Sequence, residues 1–188
     1  MIEKLKYQIR INTDIDELKL DKIVSYFKYR KVKRSTLLLS EGEVCKELYL
    51  VYSGCVRTYY LTQQGYEKTR HIAFDDSIVT SFSSFISLQP SFEFIDTLED
   101  SELYSISRKD FYQLVVDIPE WERFYTRFLE MTYIHQNKKI EARVTLTAKQ
   151  RYEKLITEHP VYVRRLSNKI LASYLDVREE TLSRLKSK

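Results

Sequence analysis

Apolar residues along this chain switch between helical and strand spacing, and the switches mark out its parts. Residues 1–30 carry Ile15, Leu18, Leu20, Ile23, Val24 and Phe27 at spacings of three and four, which predicts one or two short helices with Asp14 as a candidate N-cap. From Arg34 the pattern becomes a series of short β runs: TLLL, ELYLVY, CVRTYYL, EKTRHIAF, FEFIDTL and ELYSI. Turn signals separate them. Glu41-Gly42, Ser53-Gly54 and Gln64-Gly65 use all three glycines of the protein, and Glu99-Asp100 makes a fourth tight connection. Strands at about ten-residue spacing predict an antiparallel barrel or sandwich over residues 34–107.

Helical spacing then returns. Ser107 with Asp110 three residues on starts a short helix from Lys109 to Val116. From Pro119 to about Arg143 the chain lacks Gly and internal Pro, so a helix there spans about 37 Å. Trp121, Phe124, Phe128, Met131 and His135 recur on it at alternating three and four spacing, the seam of a two-helix contact, which predicts a homodimer. Thr147 and Gln150 cap a further helix from Ala148 to about Glu158, and Pro160 halts it; VYVRRL reads as an extended connector.

The last stretch, LSNKILASYLDVREETLSRLKSK, reads as a helix-turn-helix. Ser167 is the N-cap of its first helix, Ile170, Leu171 and Leu175 are its apolar positions, and Ala172 is small where two helices cross. Asp176 tolerates the left-handed backbone of a tight turn, and Val177 points back as a wedge. On the second helix Leu182 and Leu185 face inward. That leaves Arg178, Glu179, Ser183, Arg184, Lys186 and Lys188 near the outward face, where a recognition helix meets a major groove.

Composition narrows the class. The chain of 188 residues is 43% hydrophobic and 31% charged, ordinary for a globular protein, and no run of about 18 apolar residues is present for a membrane span. The N-terminus MIEKLKYQIR scatters charge through the region where a signal peptide needs an apolar core, so a cytoplasmic location is expected. Cys45 and Cys55 are too few for a disulfide framework and read as buried thiols. Residues 141–188 hold 11 Lys/Arg and 6 Asp/Glu, while the residues before them hold 20 and 21. A C-terminal basic excess fits a nucleic-acid module joined to a neutral partner domain. His71, His135 and His159 are too scattered for a cupin-type metal site, and no nucleophile-base pair or Gly-rich phosphate loop appears; no metal, cofactor or catalysis is expected.

The order barrel, long helix, helix-turn-helix, with the runs SEGEVCKELYLVYSGCVRTYYLTQQGYEK and VREETLSRLK, resembles the Crp/Fnr family of bacterial transcription regulators. The resemblance implies an α+β chain: an effector-type β-barrel of double-stranded β-helix or jelly-roll kind at 1–118, a dimerisation helix at 119–144, and a helix-turn-helix domain at 145–188 of winged-helix type with its wing truncated. Gly42, Gly54 and Gly65 fall at the family's turn glycines. Glu180, Thr181 and Arg184 match its E-T-x-x-R recognition helix, in which Glu and Arg read base edges and the Thr or a nearby backbone amide meets phosphate. The expected DNA-binding set is Ser167, Arg178, Glu179, Glu180, Thr181, Ser183, Arg184 and Lys186. Expected partners are palindromic double-stranded DNA, a second copy of the chain and RNA polymerase. The sequence also departs from the family. Thr80-Ser81 and Ser91-Phe92 stand where cyclic-nucleotide members carry Gly-Glu and Arg-Ser/Thr, so cyclic AMP is not the expected effector and Thr80, Ser81, Phe82, Ser91 and Phe92 are the candidate lining of any pocket. Glu179 stands where many members place an Arg, which leaves the operator open. The alternative is a barrel that binds only protein, and a cupin-like enzyme is the poorest fit.

Overall fold

The computed structural model describes residues 2–10 and 13–187, and Lys188 lies outside the described residues. Two helices come first, α1 (Ile2–Arg10) and α2 (Glu17–Ser25). The N-cap of α2 is Asp16, whose carboxylate accepts from the Lys19 N–H at 2.9 Å, and not the expected Asp14. Eight strands follow in the described residues: β1 (Lys28–Val32), β2 (Leu37–Leu39), β3 (Glu47–Ser53), β4 (Val56–Leu61), β5 (Glu67–Ala73), β6 (Ile78–Val79), β7 (Phe94–Thr97) and β8 (Ser101–Ser107), with helix α3 (Phe82–Ser87) between β6 and β7. Then come α4 (Arg108–Asp117), α5 (Pro119–Thr145), α6 (Ala148–Glu158), α7 (Pro160–Arg165), α8 (Asn168–Leu175) and α9 (Glu179–Lys186).

The fold is α+β, and the strands form two four-stranded sheets in the orders β1-β8-β3-β6 and β2-β7-β4-β5. This is the strand order of a jelly roll. A closed barrel is not formed, because the short strands β2 and β6 offer few ladder bonds with which edges could join. Strand β1 lies where the sequence reads as helix: its register with β8, Lys28 opposite Ser105 and Val32 opposite Ser101, supplies the hydrogen bonds that local periodicity does not reveal.

The chain divides into two compact units, one of residues 1–60 and 71–129, the other of residues 61–70 and 130–188. In the first unit the core joins Leu39, Val56 and Ile95 from one sheet to Leu48, Val79, Leu103 and Ile106 from the other, with Leu5, Leu20 and Ile23 of the N-terminal helices. An aromatic cluster extends this core. Phe111 of α4 lies edge-on to Phe85 of α3 at 5.6 Å and to Trp121 and Tyr125 of α5 at 5.4 and 5.1 Å. The beginning of α5 is thus sewn into its own unit.

Gly54, in the turn between β3 and β4, has φ +111, and a Cβ there would lie 2.8 Å from the Ser101 Cα. Both backbone and space demand glycine. Gly54→Ala is expected to cost about 2–4 kcal/mol in chemical denaturation, whereas Gly65→Ala, with φ +79 but nothing within 4 Å, should cost about 1 kcal/mol. Equal losses at both sites would remove the close approach as the cause.

Candidate nucleic-acid interface

The helical unit is built by strong local signals. Thr147 and Gln150 form a reciprocal capping box at the start of α6. Pro160 does not introduce an extended connector: it occupies the first turn of α7, where its missing N–H is no loss, and Tyr162 of that helix is buried against Tyr174 of α8 at 5.2 Å. Ser167 caps α8, its hydroxyl accepting from the Ile170 N–H at 3.3 Å. Asp176 closes α8 in the left-handed conformation, φ 55 and ψ 49, and Val177 donates back to the Ala172 carbonyl at 3.0 Å. The helix pair is then held by Leu171, Ala172, Leu175 and Leu182, all buried.

Helix α9 turns the remaining residues outward. Arg178 is its N-cap residue, without a side-chain capping bond, and Arg178, Glu179, Glu180, Ser183, Arg184 and Lys186 are exposed while Thr181 is half-buried. Acidic residues sit in the first turn and basic ones in the last, which suits the helix dipole. Lys186 donates to the Asn168 side chain at 2.6 Å, so its ammonium lies close to the start of α8 near Ser167. Every residue of the expected DNA-binding set is therefore on α9 or at the capped start of α8.

What the hairpin tip at residues 61–70 touches is not legible in local sequence pattern. The Ser173 hydroxyl donates to the Glu67 carbonyl at 2.8 Å and accepts from the Thr69 N–H at 2.8 Å. Lys68 pairs with Asp176 at 2.5 Å, and this bond holds the Asp176 carboxyl below its usual range. Lys139 of α5 donates to the Arg70 carbonyl and lies 3.9 Å over the Tyr174 ring. Burial lowers the Lys139 pKa to about 7, with Arg143 and Arg70 repelling the charge further. These partners are about 70 to 110 residues apart in the chain, and a lone Ser between Ala172 and Tyr174 was their faintest signal.

In the first unit, Ser81 and Ser91 hydrogen-bond each other at 2.9 Å, Ser91 also donates to the Glu93 carbonyl, and Thr80 donates to the Glu47 carbonyl. Their hydroxyls are thus engaged by the protein itself. Phe82 packs on Phe128 at 5.3 Å, and Phe92 is 77% exposed. Arg57, missed in the sequence, is buried and bidentate to Asp96 at 2.9 and 2.7 Å.

The expected α5 seam is also redistributed. Trp121 and Phe124 are buried in the unit's own core, stacked on each other at 4.8 Å, and cannot form a free seam. Phe128 faces Phe82 and Phe124; Met131 and His135 remain exposed. Beyond them Tyr133, Ile134, Ile140 and Val144 are exposed apolar residues on the same helix. Among the described residues no cluster of three His, Cys, Asp or Glu could hold a metal, and no helix is long and apolar enough to cross a membrane.

Residues 29–117 match the family model of the cyclic nucleotide-binding domain. No curated protein matches the chain. Among solved structures the chain is similar to the catabolite activator protein of Thermus thermophilus, with 20% identity, TM-score 0.60, and 93% of this chain and 83% of that one covered. A protein of Eubacterium rectale described as a candidate transcriptional regulator of the Crp/Fnr family gives 21%, 0.71, 92% and 82%. FixK2 of Bradyrhizobium japonicum gives 16%, 0.75, 86% and 83%. The shared feature is the fold.

Lys139 makes stability depend on pH with a definite sign. The folded chain releases this proton at about 7, whereas an unfolded lysine holds it to 10.5, so between these values the unfolded state binds more protons and stability rises with pH. Denaturation midpoints should increase from pH 7 to pH 9 (a window inside that interval) by more in the wild type than in Lys139→Met. Identical pH slopes would contradict the burial of the ammonium.

Proposed function

We propose that this chain is a homodimeric, sequence-specific DNA-binding transcription regulator of the Crp/Fnr type. The observation that carries the reading is the face of α9, where Glu180 and Arg184 stand exposed on a helix fixed by the buried Leu182 and the left-handed Asp176 turn. A guanidinium so presented takes guanine O6 and N7 together, and a carboxylate accepts from cytosine N4. Half-buried Thr181 and exposed Ser183, Lys186 and Ser167 serve the phosphates on either side, and Arg178 and Glu179 enter the groove at the start of the helix. The fold shared with the regulators above supports this assignment. On this reading the protein is cytoplasmic, performs no catalysis and engages RNA polymerase at its promoters.

Dimerisation would run through the second half of α5. Tyr133, Ile140 and Val144, at spacings of seven and four, supply one apolar stripe there with Ile134 at its edge, and two such helices bury each other's stripes and leave the recognition helices two-fold related, as a palindromic operator requires. The first unit would sense something other than cyclic AMP. A cyclic phosphate needs a cationic partner, whereas Ser81 and Ser91 hold each other and the buried Arg57 is held by Asp96.

Three measurements check the proposal. Arg184→Ala is expected to weaken operator binding by about 1–3 kcal/mol and to relax one base position, whereas Lys186→Ala should weaken all sequences alike and lower the salt slope by about one. Sequence-blind losses at both positions would remove the base-reading role, and duplex affinity without salt dependence would favour a protein-binding module. Ile134→Glu combined with Ile140→Glu, both at exposed positions, should yield monomers in light scattering; a persisting dimer places the interface elsewhere. Calorimetry with cyclic AMP should show no saturable heat, and binding at micromolar affinity, about −8 kcal/mol, contradicts this account of the pocket.

A further inference from the structure

A cavity of about 520 Å³ lies within the helical unit, framed by α5, α6 and α8. Its volume suits a small organic ligand. Five cationic side chains line it, Lys138, Lys139 and Arg143 from α5 and Arg151 and Lys154 from α6, with only two carboxylates, Glu141 and Glu158. Among these groups the one ion pair is Lys154 with Glu158, at 3.9 Å. The Asp176 carboxylate, outside the lining and paired with Lys68, also feels the charges of Arg143 and Arg151, and the lining itself keeps a cationic excess. Arg151 donates to the carbonyls of Leu175 at 3.3 Å and Leu146 at 2.8 Å. Lys139 is held by the Arg70 carbonyl and the Tyr174 ring, both uncharged.

Like charges gathered around a concavity produce a strong positive potential, and the part-buried surroundings screen it less than open water does. The depressed proton affinity of Lys139 is the same repulsion and desolvation seen from one of its members. An anion placed among these groups relieves both. Of the remaining lining, His135 and His159 are titratable, while Ala142, Leu155, Leu175 and Tyr174 are apolar or aromatic and suit the organic part of such a molecule.

We propose that this cavity binds a phosphate-bearing small organic molecule, with Lys139 and Arg143 taking the phosphate and Leu155, Leu175 and Tyr174 the organic part. A phosphate group carries more charge and more acceptor oxygens than a single carboxylate, and it matches a lining in which cations outnumber carboxylates. Duplex DNA is the poorer occupant, because its stiff backbone presents phosphates to protruding side chains while Lys139 is half-buried and hydrogen-bonded inward. Tyr174 and Leu175 belong to the first helix of the helix-turn-helix, so an occupant joins that helix to α5 and α6. Its effect on operator affinity rests on the function proposed above; its binding does not.

The test is isothermal titration of the full chain with ATP and with inorganic triphosphate, in the absence of divalent cations and of DNA, at pH 6.5 (below the pKa of about 7, so that Lys139 is charged). Both probes should saturate one site per chain, ATP the more tightly. Lys139→Met and the exposed Arg143→Gln should each weaken them at least tenfold (about 1.4 kcal/mol), and Lys149→Met, outside the cavity and paired with Glu153, should change nothing. Circular dichroism of each variant confirms its fold, and Arg143→Gln at a surface position keeps the test open if Lys139→Met misfolds. No saturable binding by either probe, or wild-type affinity in both cavity variants, overturns the proposal. So does complete displacement of ATP by duplex DNA, which would assign these cations to the DNA backbone. ATP binding that persists with duplex present supports a separate small-molecule site.

Discussion

The left-handed backbone at Asp176 is the constraint on which the C-terminal helices depend. Helix α9 has eight residues, too few to be stable alone, so its shape and direction come from the turn and from what it packs against. A non-glycine residue in this conformation costs about 1 kcal/mol or more, and several local bonds offset it. The Asp176 N–H returns to α8, Val177 reaches the Ala172 carbonyl, and the carboxylate is held by Lys68. Leu182, fully buried beneath the turn, then fixes which face of α9 meets solvent. The exposed row containing Glu180 and Arg184 is a consequence of that one backbone geometry.

The hairpin tip at residues 61–70 makes the same turn more than a local motif. Ser173 is bonded to Glu67 and Thr69, Asp176 to Lys68, and Lys139 to Arg70, so α8, its closing turn and α5 are all tied to one strand end. Lys68 with Asp176 is partly exposed and contributes little by itself, on the order of 0–1 kcal/mol. The bonds of Ser173 satisfy backbone groups and define register instead. In the first unit a corresponding layer of hydroxyls is closed on the protein itself, Thr80 and Ser91 on carbonyls and Ser81 on the Ser91 hydroxyl. Arg57 is neutralised by Asp96 where leaving it unpaired would be costly.

What could be read from the sequence was what is encoded within a few residues. The Thr147–Gln150 box, the Ser107 and Ser167 caps, the left-handed Asp176 and the glycine turns each need only a local stereochemical rule, and each stands where expected. Pro160 obeyed a rule as well, but the one for helix starts and not the one for helix stops. Misread elements were those decided by distant partners. Strand β1 exists because β8 offers it a register, and Trp121 is core because Phe27 and Phe111 surround it. Spacing along α5 could not reveal this, since a seam toward a second chain and a seam toward one's own core share the same period. The basic cavity was invisible for the same reason: its cations come from two helices, and its aromatic wall from a third.

The central claim, that α9 reads base edges from a two-fold assembly, is tested most directly by selecting bound duplexes from a random pool with the purified protein. The account predicts enrichment of a palindromic consensus with half-sites about one helical turn apart. Recovery of an unenriched pool, or of a single unrepeated half-site, would contradict it.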